Sequence, residues 1–281
     1  MLTGGRGTID ESSIEIITSD SRTKLQLPNL PYKDANHSIF NHDGTLMVCG
    51  GTDKNAQKCY QLVNGFWTKF SKLKRKRSGA HVVKTTEATF LFGGNEDAKT
   101  FEYLPKNGKG WKLGKTKIPE GFCFGSAVEV KSYQEIWLIG GEENTRRILV
   151  FNLKTHAFGE LESTLKTRRE LHACISTTLD GNEVILVTGG RFSKQTVEII
   201  NTFDGSVTVL ANQLVSRRFG HGIGILRIEN QDKIVVFGGT NGTLDGDHSS
   251  VEIFDNETKE WKLDENIRLS EGRYFFSFTN F

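Results

Sequence analysis

The chain has 281 residues, 36% of them hydrophobic and 25% charged, which is enough apolar material for a sizeable core and too much for a disordered chain. Lys plus Arg number 36 and Asp plus Glu 34, a formal charge of +2 that argues neither for a nucleic-acid binder nor for an acidic tail. The 30 glycines follow no three-residue period, which excludes collagen, and no apolar run approaches the ~20 residues of a membrane span.

The N-terminus carries no apolar signal region. Leu2-Thr3 is the stub of an apolar run that ends at Gly4-Gly5, and residues 14–17 read as a strand after a polar loop. The same order then recurs. Residues 46–49 lead to Gly50-Gly51 and then to 58–60; residues 90–92 lead to Gly93-Gly94 and then to 101–103. Residues 136–139 lead to Gly140-Gly141 and 149–151, residues 184–187 to Gly189-Gly190 and 197–200, and residues 234–237 to Gly238-Gly239 and 251–254. Short apolar runs bounded by glycine predict strands buried on both faces.

A large residue in the second run pairs with an apolar one seven positions on, as in Tyr60/Trp67, Phe151/Phe158, Ile200/Val207 and Phe254/Trp261. Tyr103/Trp111 is one residue longer, and in the first repeat Ile17 leads to Lys24. Asn64-Gly65, Asn107-Gly108 and Asp204-Gly205 between them predict hairpin turns, because both residues tolerate positive φ. A further strand precedes the apolar run, clearest at residues 219–225, with 80–83, 122–126 and 172–175 in register. Residues 161–172 read as a loop with at most one helical turn through Leu161 and Leu165.

The doublets at 4, 50, 93, 140, 189 and 238 are the only Gly-Gly pairs, and their mean spacing of 46.8 residues is also one sixth of the chain. Four short strands per repeat cannot bury both faces alone, whereas repeats stacked around an axis can. The prediction is an all-β fold, a single six-bladed β-propeller of four-stranded antiparallel blades spanning residues 1–281. Residues 273–279 resemble a first strand with no apolar run after it, and the chain starts at a doublet with no strand before it. Residues 273–281 are therefore expected to complete the first blade and close the ring.

With six doublets in phase, the Tyr60/Trp67 and Phe254/Trp261 pairs, and Arg218-x-x-His221 before an inner strand, the chain resembles the kelch repeat family over essentially its whole length. No Trp is followed by Asp, as WD-type propellers require, and no hairpin carries the Ser-x-Asp-x-Gly-x-Thr-Trp box of sialidases. Lys24, Phe158 and Val207 depart from the usual Trp. The resemblance implies that the first strand of each repeat is innermost, that the fourth faces outward, and that the loops after Gly-Gly share a face with the inter-blade loops. It also implies a protein-interaction module, with a ubiquitin-ligase component or actin as partner classes.

That face is rich in arginine. The inter-blade loops hold Lys74-Arg75-Lys76-Arg77, Arg168-Arg169, Arg217-Arg218 and Arg273, and the loops after the doublets hold Arg6, Arg146-Arg147, and Arg191 with Lys194. Guanidinium forks suit carboxylates and phosphates, so Arg77, Arg146, Arg147, Arg169, Arg191, Arg218 and Arg273 are the expected contacts to an acidic peptide or protein. Arg169, Arg218 and Arg273 recur in phase, and for these a structural pairing with acids of neighbouring blades is the competing reading. Arg146, Arg147 and Arg191 do not recur and point more to binding.

Other features carry less. Six basic residues within 69–77 occupy an ordinary inter-blade loop without an aromatic stacking series. His37, His81, His172 and His221 fall at matching places and read as packing positions rather than metal ligands. Glu15, Glu198 and Glu252 recur in third strands and look structural, and the acidic loop Asp245-Gly246-Asp247-His248 lacks spaced calcium ligands. The four cysteines show no C-x-x-C pair, so neither zinc nor a disulfide is expected, and a reducing, cytoplasmic location follows. The N-x-S/T triplets at Asn36, Asn241 and Asn256 are not taken as a sign of secretion.

No cofactor, metal site or catalytic constellation is expected, and the chain is expected to be monomeric, without membrane or nucleic-acid partners. Its start almost inside a strand suggests a piece of a longer protein. The alternative function is an enzyme using the propeller channel, a metal-dependent oxidase or a sugar-processing protein; Tyr32, Tyr133 and Tyr274 are the tyrosines outside the repeat pattern that an oxidase would draw on.

Overall fold

The Gly-Gly doublets lie where the chain leaves a buried strand at one face of the molecule. In a computed structural model that describes residues 2–7, 10–17, 27–142, 146–243, 246 and 248–279, both glycines of every doublet have positive φ, the second at 89–121°. Side chains rarely tolerate that conformation, and it turns the second N–H sideways. Gly5, Gly51, Gly94, Gly141, Gly190 and Gly239 donate to the carbonyls of Asp34, Arg77, Phe122, Arg169, Arg218 and Arg273, each in the next sector of the ring.

Five sectors are four-stranded antiparallel blades, with strands in chain order from the axis outward. The second sector contains His37–His42, Thr45–Gly50, Cys59–Val63 and Phe66–Lys69; the third contains His81–Lys84, Ala88–Phe92, Phe101–Pro105 and Lys112–Leu113. The fourth contains Ser126–Val130, Glu135–Ile139, Ile148–Asn152 and Phe158–Glu160; the fifth contains Ala173–Leu179, Asn182–Thr188, Val197–Asn201 and Val207–Val209. Gly222–Ile228, Gln231–Phe237, Ser250–Asp255 and Glu260–Arg268 form the sixth.

Among the described residues the complete four-stranded blades therefore number five, not the expected six. The first sector is a three-stranded sheet in the order Ser277–Phe278, Leu2–Thr3, Ile14–Glu15. Its strands are two residues long, and the place of a fourth, around Lys24, lies outside the described residues. The two ends of the chain meet in it: Leu2 pairs with Phe278 and Thr3 with Ser277, and Arg6–Gly7 pairs with Arg273–Tyr274 alongside.

The axis is bound by a hydrogen-bonded girdle. Asn36, Gly79, Phe124, Leu171, Gly220 and Phe275 precede the inner strands, all with positive φ. Gly79 donates to Asn36 (2.9 Å), Phe124 to Gly79 (3.3 Å), Leu171 to Phe124 (2.7 Å), Gly220 to Leu171 (2.7 Å), Phe275 to Gly220 (3.0 Å) and Asn36 to Phe275 (3.4 Å), so the circuit closes. Below it runs a channel of about 310 Å³ lined by the inner strands.

Apolar clusters fill the seams between sectors. Phe90, Phe92 and Phe101 of the third meet Ile136, Leu138 and Phe151 of the fourth, with ring centroids of Phe101 and Phe151 4.9 Å apart. Similar clusters join the second to the third, the fourth to the fifth, the fifth to the sixth and the sixth to the first. The first-to-second seam is tied by polar contacts, Thr3 Oγ1 with His37 Nε2 at 2.8 Å and Ile39 N–H to Ser277 Oγ at 2.8 Å.

Two details differ from expectation, while residues 161–172 are the loop expected. The aromatic pairing is out of register in two sectors: Leu62 faces Trp67, and Leu104 shares a cluster with Trp111, while Tyr60 faces Lys69 and Tyr103 faces Lys112. In both sectors a tyrosine stands near the residue that packs on the Trp, and ladder register, not aromatic character, decides the pair.

The second difference is a disulfide. Cys49 and Cys59 lie directly opposite each other on adjacent strands, with Cα atoms 4.2 Å apart, and are bonded. This overturns the expectation of unpaired cysteines, and it removes that argument for a reducing compartment. Cys123 and Cys174 are buried outside any disulfide. Alkylation of denatured, unreduced protein should therefore label two cysteines, with four after reduction; four labels before reduction would show that the pair does not form.

Candidate protein-binding face

Of the seven arginines expected at the binding face, four turn inward. Arg77, Arg169, Arg218 and Arg273 are each no more than 2% exposed. Arg218 pairs through Nε and Nη2 with Glu252 at 2.9 Å, and its Nη1 donates to the Gly238 carbonyl. Arg77 with Glu102 and Arg169 with Glu198 repeat the arrangement, donating to the carbonyls of Gly93 and Gly189. Arg273 meets Glu15 at 3.0 Å.

The glutamates are saturated from the other side. Glu102 accepts the N–H groups of Lys74 and Arg75, Glu198 those of Lys166 and Thr167, and Glu252 those of Val215 and Ser216. Burying two charges is tolerable because nearly every lone pair and donor finds a partner. The acid belongs to the sector that the arginine enters, not to a neighbour, while the arginine's own carbonyl holds the preceding doublet. Each such arginine thus rivets two sectors, and its guanidinium offers nothing to a partner.

The two remaining sectors replace both members together. In the fourth, Phe122 and Leu149 occupy the places of arginine and glutamate within one apolar cluster. In the second, Tyr60 takes the glutamate place, and Tyr32, its ring 5.7 Å away, donates its hydroxyl to the Gly50 carbonyl as the arginines do elsewhere. Burial drives the Tyr32 hydroxyl to a higher pKa.

The non-recurring arginines reach the surface. Arg146 is exposed and donates from Nε to the Leu165 carbonyl at 2.8 Å. Arg191 is exposed and meets Glu170 at 2.9 Å. Both grip the same loop, residues 161–172, from either side, and Arg168 is exposed on that loop. Arg147 is half-buried and held by Glu120 and Glu160.

Beside these cations stand apolar side chains that composition and spacing did not single out. Phe192 is 56% exposed and Val215 46%. Lys194 lies 5.7 Å from the ring centroid of Phe219, which is half-buried beside Phe275 of the girdle. Phe192 follows Gly-Gly-Arg in one repeat alone, and that lack of recurrence was the available signal. Lys74, Arg75, Lys76 and Arg217 are also exposed on this face.

The histidines are structural. His37 and His221 bond the hydroxyls of Thr3 and Thr188 in the preceding sector, at 2.8 and 2.9 Å. His172 holds the same place, with neither ring nitrogen in a well-formed hydrogen bond. His81 sits one residue out of phase, opposite Phe92, whereas His37 stands opposite Gly50, so its ring turns the other way, toward Gly125 and Ala127 of the fourth sector. Among the described residues no group of three or more His, Cys, Asp or Glu is placed to hold a metal ion. Tyr32, Tyr133 and Tyr274 are not brought together: Tyr133 is exposed on a short turn and Tyr274 meets Phe275 edge-on. Asp245 and Asp247 lie outside the described residues.

Residues 230–263 match the Kelch motif, and a 155-residue stretch, 53% of the chain, is 27% identical to a kelch repeat-containing protein of Dictyostelium discoideum. The chain is a β-propeller that resembles kelch-repeat proteins. That stretch covers 23% of the length of the Dictyostelium protein. Kelch propellers generally bind protein partners and are mostly non-enzymatic. Among the described residues of this propeller, no helix is long and apolar enough to cross a membrane.

Proposed function

We propose that this propeller is a rigid display module whose doublet face, across the fourth to sixth sectors, docks an acidic segment of a protein partner. The observation that carries the reading is the placement of Arg146, Arg168 and Arg191 around one loop, with Phe192 and Val215 exposed nearby. Cations at the edge of apolar contacts match the polar-rim, apolar-core anatomy of protein interfaces, and exposed arginine speeds encounter with an acidic partner. Arg77, Arg169, Arg218 and Arg273 support this face from beneath rather than touching the partner. A ubiquitin-ligase component or actin are the partner classes that the kelch likeness brings, and the residues of this face do not choose between them.

The test is fluorescence anisotropy with labelled Glu/Asp-rich peptides that carry one aromatic residue. The Arg146→Ala, Arg191→Ala double variant should bind about three- to tenfold more weakly, as two exposed ion pairs allow. The loss should shrink at high salt. Arg147→Ala, which removes a guanidinium already held by two glutamates, should change binding less. Equal binding by wild type and double variant would remove the arginine face from the account.

A further inference from the structure

On the opposite face, among the described residues, the propeller carries one carboxylate unlike its others. The turns at residues 85–88, 131–134 and 153–156 surround a groove of about 660 Å³ between the third and fourth sectors. That volume lies within the range of small-molecule sites. One wall is aromatic. Phe90 stacks on Tyr103 with centroids 5.8 Å apart, and His156 stands edge-on to both, at 5.9 and 5.2 Å. Leu153 and Pro105 extend the apolar surface.

Glu129, on the inner strand of the fourth sector, lines the same groove and is half-buried. Elsewhere, buried carboxylates have partners: Glu102, Glu198 and Glu252 each hold an arginine and two backbone N–H groups, Asp34 accepts from Thr52 and Asn55, and Glu170 meets Arg191. Glu183, on the adjoining sector, accepts from Lys131, Ser132 and Ser176. Among the described residues Glu129 has no hydrogen bond and no ion pair. Burial pushes its pKa up, Lys131 opposes that shift and Glu183 adds to it. Half-burying a carboxylate with no donor is unfavourable, and a packed apolar residue would serve the fold better.

The groove's other charges stand at its edge. Glu87, Lys131 and Lys154 are exposed, and none forms an ion pair with Glu129. Burial lowers the His156 pKa, so its ring is a neutral aromatic face near pH 7. What the groove lacks is a cation beside Glu129, and its aromatic faces attract the same kind of group.

We propose that this groove binds a small organic ammonium ion with an apolar body, its nitrogen on the Glu129 carboxylate and its body against Phe90, Tyr103 and His156. The site is independent of the doublet face and does not rest on the protein-binding reading. A half-solvated acid is kept in place for the cation it accepts, at some expense in stability.

The experiment titrates 2-phenylethylammonium into the intact protein and follows backbone amide shifts. Saturable shifts at residues 85–88, 129–134 and 153–156 are expected, with at least tenfold weaker binding for 2-phenylethanol and none for phenylacetate. Glu129→Gln should weaken the ammonium at least tenfold while melting no lower than wild type, which a merely structural carboxylate would not do. Comparable binding of all three probes to the wild-type protein overturns the proposal without recourse to a variant. So do unchanged ammonium affinity in Glu129→Gln, or shifts confined to the channel or the doublet face.

Discussion

Glu252→Ala should lower the unfolding free energy of the propeller by about 3–5 kcal/mol, the cost of leaving a fully buried guanidinium without its anion. Arg218 has no exposed surface into which it could turn, and Val215 and Ser216 would lose their acceptor together with it. The chain itself contains the compensating experiment. The fourth sector does without the ion pair by placing Phe122 and Leu149 at the two positions. The Arg218→Phe, Glu252→Leu double variant should therefore recover much of the loss, with a coupling far from additive. Urea denaturation of the wild type, both single variants and the double variant reads this directly. If the single variants cost less than about 1 kcal/mol, the level of an exposed pair, these arginines do not rivet the sectors.

Acid should loosen the ring well before its carboxylates are fully protonated. Burial holds His37 and His81 at about 4 and His221 at about 3, and it pushes His172 well below the ordinary imidazole range. In the unfolded chain each titrates near 6.5. Between those values the unfolded state binds more protons than the folded one, so stability is complete above about pH 6.5 and falls as the pH drops toward 4. Four such groups give a slope of about 5.5 kcal/mol per pH unit once all are charged in the unfolded chain. Urea midpoints measured from pH 7.5 to 4.5 should trace that decline. His172→Phe should cut the slope by about a quarter and cost little at pH 7, because its ring nitrogens make no well-formed hydrogen bond there. A flat profile between pH 6.5 and 5 would contradict the buried, neutral assignment.

The architecture was legible because a backbone requirement enforced it. Only glycine readily takes the φ of about 100° that sends the second N–H of a doublet into the next sector, so the doublets stand out at every turn of the ring. The closing strand was legible too, as an inner strand without a successor at one end and a doublet without a predecessor at the other. The arginines were harder to read. Arg77 and Glu102 are 25 positions apart, Arg169 and Glu198 29, and Arg218 and Glu252 34, so no local motif links them. The usable signal was joint: arginine and glutamate occur in the same four sectors, and both are missing where Phe122 and Tyr60 stand. Fold-bearing cations and surface cations look alike in a composition, and only Arg146, Arg147 and Arg191, outside the recurrence, stayed candidates for contact. Glu129 gave no sign, since its distinction is the absence of partners, which a string of letters does not record.

The girdle has an electrostatic consequence for the mouth of the channel. Its six N–H groups all point the same way round the axis, each toward the carbonyl behind it. Dipoles laid head to tail on a circle sum to nothing, so the main chain there projects no field outward, unlike the end of an α-helix. Charge preference on that face is left to side chains on the loops, and it can be reversed by substitution there while the circuit beneath stays whole.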